Sequence, residues 1–322
     1  MTEPYHADNL VTVHHGDCLQ HLRNLPDNSI DSIVTDPPYG LSNTGPGNVA
    51  DTIVRWAGGE RDHVPEGRGF MGRPWDAFVP PPAVWDECLR VLKPGGHMLV
   101  FAGSRTQDLM GLSIRLAGFE LRDSLAWIYG SGFPKSLDVS KSIDKAAGAK
   151  REVVGRYQSP DGRDRAAAAN AVGAVYGRDG REWNKPLTAP ATPEAERWAG
   201  WGTSLKPAIE PVIVARSPLT GTVAGNVLEW GTGALNIDAS RVAPKPGDYD
   251  HPGNDNRKQT DTVYGTFERE GKQAPPHSAG RWPANVLLDP EAAAAMDQQS
   301  GVLKSGAHKA GQPRNEIGRA HV

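Results

Sequence analysis

Residues Asp31 to Gly40 read DSIVTDPPYG. Ile33, Val34 and Thr35 have strand composition and run straight into an acid, two prolines and a tyrosine. Pro37 and Pro38 each fix a φ angle and carry no N–H, so the loop they form is stiff and its carbonyls are available as acceptors. The stretch therefore predicts a strand ending at Asp36, followed by a rigid corner that offers a carboxylate, backbone carbonyls and the ring of Tyr39.

Working outward, Val11 to His14 reads as a short strand and GDCLQHLRNL as a turn and helix, so that with IDSIVT the chain forms a βαβ unit with parallel strands. Val84, Trp85, Cys88, Leu89 and Leu92 recur at helical spacing, KPGG stops that helix, and HMLVFAG follows as a buried strand. Leu109, Leu112 and Leu116 mark another helix that ends at Gly118, and LRDSLAWIY is again strand-like. IEPVIVARSPL supplies a strand at Pro211 to Ala215, expected beside SLAWIY, and ANVLL, Ala284 to Leu288, supplies one more. This alternation predicts an α/β fold with a doubly wound, mostly parallel sheet and a ligand site at the carboxyl ends of its strands.

Two stretches interrupt the pattern. Leu41 to Pro74 is Gly-rich, polar and without evident period, and reads as a mobile loop. The second, 130–204, is a loop-rich insertion between neighbouring strands. Between Gly130 and Lys206 there are 13 Lys and Arg against 9 Asp and Glu, whereas the rest of the chain holds 22 against 29. A local positive excess on an acidic protein fits a nucleic-acid-facing segment as well as a solvated surface. Trp183, Trp198 and Trp201 lie there among Arg181, Lys185, Arg197 and Lys206, and either contact DNA or pack a small subdomain. The expected organisation is a half-domain at 10–129 that carries the corner, the basic insertion at 130–204 as a possible DNA-facing region, and remaining strands with polar loops at 205–290.

The 322 residues hold 37 Gly and 27 Pro, a composition in which a packed core coexists with long loops. Cys18 and Cys88 make neither a disulfide framework nor a CxxC metal spacing. His14 and His15 lack acidic or cysteine company at ligand spacing, so no metal is expected. The sequence contains no apolar run long enough to span a bilayer and no basic, apolar leader, and a cytoplasmic protein is expected.

The corner has a specific chemical use. An exocyclic amino group on a nucleobase has two hydrogens to donate and a lone pair drained into the ring. If Asp36 and the Pro37 carbonyl each accept one hydrogen, the nitrogen moves toward tetrahedral geometry and its lone pair becomes nucleophilic. Tyr39 offers a face on which the base can stack once it has left the duplex. An ordinary turn with a buried tyrosine is the plainer reading of the same four residues.

DPPY after an apolar strand, preceded by HGDCLQHL, resembles the amino-methylating DNA methyltransferases of the adenine-N6/cytosine-N4 family. LKPGGHMLVFAG, YGSGFPKS, LKPAIEPVIVAR and GRWPANVLLD resemble recurrent segments of its phage-type and bacterial members. The resemblance covers most of residues 10 to 290. It implies a fold like that of S-adenosylmethionine-dependent methyltransferases, S-adenosylmethionine as methyl donor, and double-stranded DNA with a flipped base as substrate. It also implies a catalytic loop of Asp36, Pro37, Pro38 and Tyr39, with Asp36 facing the donor as well. Asp17 becomes a candidate contact to the donor's adenosine; capping the helix that follows is its other reading. Asp before the prolines favours adenine N6 by the same resemblance, with cytosine N4 as the alternative.

Relatives with an amino-terminal catalytic loop carry a later Asp-Pro-Phe-x-Gly-Ser-Gly-like turn for the donor, and no such segment is found in this sequence. EWGTGALNID, Glu229 to Asp238, has a Gly-x-Gly but no strand leading into it and reads as a turn. Glu316 to Val322, EIGRAHV, is what GAG ATC GGA AGA GCA CAC GTC encodes, a string matching a common sequencing-library adapter. The expectation is a chain truncated at its carboxyl end with a non-native tail at 316–322, for which a non-catalytic DNA-binding fragment is the reading from a different class.

Overall fold

The computed structural model describes residues 4–42, 44–69, 72, 74–129, 136–156, 186–205, 207–243 and 280–300. In chain order the elements are β1 (His6–Ala7), β2 (Thr12–Val13), α1 (Cys18–Leu22), β3 (Ile30–Thr35), α2 (Pro46–Ala57), α3 (Pro82–Val91), β4 (Leu92–Phe101), α4 (Gln107–Leu116) and β5 (Glu120–Ile128). There follow α5 (Val139–Ala146), β6 (Val153–Arg156), β7 (Pro186–Thr188), α6 (Pro193–Arg197), β8 (Ile209–Arg216), α7 (Val223–Trp230), β9 (Val286–Leu288) and α8 (Pro290–Ser300). The described residues fall into two compact units, one within 1–130 and 209–322, the other within 131–208.

The first unit is built on a five-stranded sheet in the order β3-β4-β8-β5-β9. β3 pairs with β4, and β5 with β9, in parallel; β8 runs antiparallel to both β4 and β5. The α/β class matches the sequence reading, but the sheet is mixed rather than mostly parallel. The chain itself gives the reason. β5 ends at Ile128, β8 starts at Ile209, and these two residues are paired, so the strand re-enters the sheet at the end where its neighbour left it and must run back the other way.

α3 and α4 pack on each other and on this sheet. Trp85, Cys88, Leu92, Met98, Val100, Met110, Ile114, Ile213 and Ala215 form the buried core between them. α3 stops at Val91, and KPGG then lies inside β4 rather than between helix and strand. Between the pairs Ile30/Leu92 and Ser32/His97 the register shifts, leaving Lys93 to Gly96 as a bulge. Gly95 takes a φ of 75° there, a conformation that only glycine adopts at low cost.

Two other expectations are corrected. β2 does not join β3 in a parallel βαβ unit; it pairs antiparallel with β1 in a separate two-stranded ribbon. Asp8 closes that ribbon by accepting the N–H groups of Leu10 and Val11 at 2.8 and 2.7 Å, a local turn whose closure entropy is small. The stretch from Leu41 to Pro74 is not a structureless loop either, because it contains α2. Pro46 occupies the first helical position, and Val49, Thr52, Ile53 and Trp56 fall at i, i+3, i+4 and i+7. Thr52 and Trp56 are buried, and Val49 and Ile53 pack against the core.

In the second unit, Asp138 caps α5 by accepting from the Lys141 N–H at 3.0 Å, and β6 and β7 pair antiparallel. The buried Asp144 carboxylate takes the Arg151 guanidinium and, at 2.8 Å, the Thr192 hydroxyl. Trp198 and Trp201 meet edge to face at 5.0 Å while staying partly exposed. Trp183, Arg178, Arg181, Lys185, Lys206 and the tail at 316–322 lie outside the described residues. Among the described residues no helix is long and apolar enough to cross a membrane.

Trp56 ties α2 down. Its indole N–H donates to the His63 carbonyl at 2.8 Å, and its ring meets Phe78 edge to face at 5.9 Å. Trp56→Ala should lower the unfolding free energy by roughly 3–5 kcal/mol, the usual cost of truncating a buried tryptophan. Urea denaturation followed by circular dichroism measures this. A change below about 1 kcal/mol would show α2 to be only loosely attached.

Candidate active site

The residues of DPPY are brought to the carboxyl end of β3, as the strand pattern requires. Asp36 is exposed, Pro37, Pro38 and Tyr39 are half-buried, and Gly40 is buried. Three contacts fix the loop. Thr106, buried just before α4, donates its hydroxyl to the Tyr39 carbonyl at 2.6 Å. The Gly40 N–H donates to buried Asp76 at 3.3 Å, and the Gly40 backbone lies against that of Phe78 and Val79. The segment after α2 is thus what holds the corner from below.

The Tyr39 side chain is held from a different direction. Its hydroxyl lies 3.5 Å from Glu210 Oε2, and Glu210 Oε1 lies 3.4 Å from the Tyr129 hydroxyl. Glu210 is the second residue of β8, paired opposite Trp127 of β5. Because β8 is antiparallel, its amino end arrives where β3, β4 and β5 have their carboxyl ends. Phe101 meets Trp127 edge to face at 5.6 Å, and Trp127 meets Tyr129 at 6.5 Å, so an aromatic row continues from β4 across β5. Burial, then the Asp36 carboxylate, then the charge on Glu210 push the Tyr39 phenol far above its ordinary pKa. Burial and Glu210 also raise that of Tyr129. Both phenols are protonated donors at every physiological pH.

Asp17 behaves as a helix cap: its Oδ1 accepts from the Gln20 N–H at 3.0 Å. Among the described residues no hydrogen bond or ion pair links it to the corner. Glu210 and Tyr129 were not singled out from the sequence. The available signal was an acid placed directly before Pro211 at the head of the apolar run VIVA, where a strand buried in the sheet begins. Thr106 carried no sequence signal beyond its place before a helix.

The Gly-x-Gly turn of EWGTG is not placed at the corner. Gly231 ends α7 in the left-handed conformation, and Gly233 packs on the buried Asn226. The Asn226 amide donates to the carbonyls of Pro94 and Thr232, both at 2.9 Å, and the Thr232 hydroxyl also donates to Pro94. That turn therefore sits at the amino end of β4. Val100, paired with Thr35 next to the corner, is six residues further along and roughly 20 Å away. EWGTG is a structural turn, as the sequence indicated.

No protein-family model matches the chain. It is 23% identical over 249 residues to type II methyltransferase M2.LlaDCHI of Lactococcus lactis subsp. cremoris, an alignment covering 76% of this chain and 86% of that protein. It is 24% identical over 251 residues to type II methyltransferase M2.DpnII of Streptococcus pneumoniae, covering 75% and 85%. Among solved structures it is similar to PvuII DNA methyltransferase (cytosine-N4-specific), with a TM-score of 0.32, 16% identity and coverage of 77% of this chain and 63% of that one.

Gly40 has a φ of 59°, and a Cβ there would lie 2.2 Å from the Val79 nitrogen. Gly40→Ala adds a left-handed penalty of about 1–2 kcal/mol to that backbone collision. The substitution should destabilise the protein by at least about 2 kcal/mol in thermal or urea unfolding. A neutral result would mean that the corner is not clamped against Phe78 and Val79.

Proposed function

We propose that this protein methylates the N6 amine of adenine in double-stranded DNA at the corner formed by Asp36, Pro37, Pro38 and Tyr39. The coarser part of this reading, an S-adenosylmethionine-dependent DNA methyltransferase of the type II kind, follows from two sequence relatives aligned over three quarters of the chain. The observation that carries the finer part is the arrangement at the end of β3: an exposed carboxylate, a rigid loop of two prolines and a clamped aromatic ring. By the family resemblance, Asp before the prolines supports adenine over cytosine N4.

S-adenosylmethionine supplies an electrophilic methyl group. The chain's own residues act on the other reactant. A base turned out of the duplex stacks on Tyr39, which offsets part of the few kcal/mol lost on unstacking. Its amine donates one hydrogen to Asp36 and the other to the Pro37 carbonyl, and its nitrogen lone pair is then directed away from the ring plane. With the donor bound, its methyl–sulfonium bond would break as the N–C bond forms, leaving a neutral thioether, and the nitrogen would shed one proton, for which Asp36 is an acceptor. Asp36 therefore serves as an acceptor and does not form a covalent intermediate.

On the resemblance alone, Asp17 is proposed to contact the donor's adenosine. The segment 130–204, with its positive excess, is proposed to lie on DNA and help choose the target, and the cytoplasm of a bacterial cell or phage-infected host is the proposed place of action.

The test is to incubate the protein with DNA and methyl-labelled S-adenosylmethionine, digest the DNA to nucleosides and identify the labelled one by mass spectrometry. Label in N6-methyladenine is expected, and Asp36→Ala and Asp36→Asn should each lower the rate by at least 100-fold while DNA binding is largely kept. Label in N4-methylcytosine would overturn the base assignment alone. Wild-type rates in both variants would remove Asp36 from the mechanism.

A further inference from the structure

A nucleotide turned out of the duplex stays joined through its sugar to two phosphates, so a base stacked on Tyr39 brings negative charge to the rim of the corner. The acids already there repel it: Asp36 is exposed, and Glu210 stands 3.5 Å from the Tyr39 hydroxyl. Among the described residues, the segments that form and hold the corner are 36–42, 74–79, 102–106, 127–129 and 209–212, and Arg105 is the one Lys or Arg in them. We propose that Arg105 holds a phosphate of the target nucleotide and so sets the flipped base against Tyr39. This inference rests on the reading of the corner as the place where the base is methylated.

The turn that carries Arg105 has a fixed relation to the DPPY loop. Val100 pairs with Thr35, so β4 ends beside the strand that leads into the corner. The Ala102 N–H donates to the Pro211 carbonyl at 3.0 Å, and the Thr106 N–H closes the turn on the Gly103 carbonyl at 3.0 Å. Gly103 is buried against the corner: a Cβ there would lie 3.2 Å from Leu41 Cδ2 and 3.4 Å from Tyr39 Cβ. Thr106 is buried too, with its hydroxyl on the Tyr39 carbonyl at 2.6 Å. Arg105, between them, is exposed. Arg61, Arg90 and Arg216 are each held by a carboxylate, whereas none pairs with Arg105 among the described residues, Asp108 at the start of α4 included. Arg105 is thus an uncommitted cation on a rigid turn, one residue from the group that fixes Tyr39. Its guanidinium offers N–H donors in a planar fork that matches the oxygens of a phosphate.

The closing experiment uses the full chain. Mapping the labelled base in methylated DNA gives the target, and a short duplex containing it is bound at increasing salt by wild type, Arg105→Gln and Arg105→Lys. Arg105→Gln should weaken binding roughly 10-fold at about 0.1 M salt, the worth of one charged hydrogen-bonded contact, and reduce the slope of log K against log salt by about 1. Its affinity for S-adenosylmethionine should not change. Arg105→Lys keeps the charge and should keep the slope. A merely structural role would move stability and leave the salt slope alone. The place of the contact is read with duplexes in which one or the other phosphate flanking the target nucleotide is replaced by a neutral methylphosphonate. At one of these positions the replacement should weaken wild-type binding by about as much as Arg105→Gln does, and should leave Arg105→Gln nearly unaffected, because the contact is already gone.

An unchanged affinity and salt slope in Arg105→Gln overturns the inference. So does a variant that loses as much as wild type at both methylphosphonate positions, which would put the arginine on some other phosphate. Weaker S-adenosylmethionine binding with an unchanged salt slope overturns it as well and assigns Arg105 to the donor's carboxylate. If the wild-type chain itself transfers no methyl group, the functional reading fails first and this inference falls with it.

Discussion

The reversed direction of β8 is the constraint on which the site depends. In an all-parallel sheet every strand would deliver its last residues to the ligand edge and its first residues to the far side. β8 lies between β4 and β5 and runs against both, so its first residues, Ile209 and Glu210, reach the edge where β3 gives way to Asp36. A carboxylate from the start of one strand thereby meets a phenol from the loop after another. The same reversal lets the chain leave β5, build a separate unit over 131–208 and return beside its point of departure.

The corner is held by groups of two kinds with different consequences. The backbone is fixed by neutral contacts: Thr106 on the Tyr39 carbonyl, and the close approach of Gly40 to Phe78 and Val79. These set where the loop is. The Tyr39 side chain is instead met by a carboxylate, Glu210, 3.5 Å from its hydroxyl. Backbone clamping leaves the carboxylate of Asp36 exposed.

Much of this was legible in the sequence where local chemistry decides the outcome. IDSIVT followed by DPPY gave the strand and the corner because β-branched residues and paired prolines leave few alternatives. SLAWIY and PVIVAR were recognisable as neighbours by composition, but their relative direction was not, since apolar runs carry no arrow. The helix α2 was missed because Gly45, Gly47 and Gly58 around it hid the spacing of Val49, Thr52, Ile53 and Trp56. β2 was assigned to the wrong partner because a two-residue strand has too little pattern to specify one, and the turn at Asp8 decided the matter locally. Glu210 stood 171 positions from Tyr39, a separation at which no motif spacing signals contact.

The central claim is a geometric one about an amine, and a structure of the protein with S-adenosylmethionine and a DNA duplex containing its target measures it most directly. The account predicts a base turned out of the helix with its ring on Tyr39 and its exocyclic nitrogen within about 2.6–3.2 Å of both the Asp36 carboxylate and the Pro37 carbonyl. A target base that stays stacked in the duplex, or an amine held by groups other than Asp36 and Pro37, would contradict it.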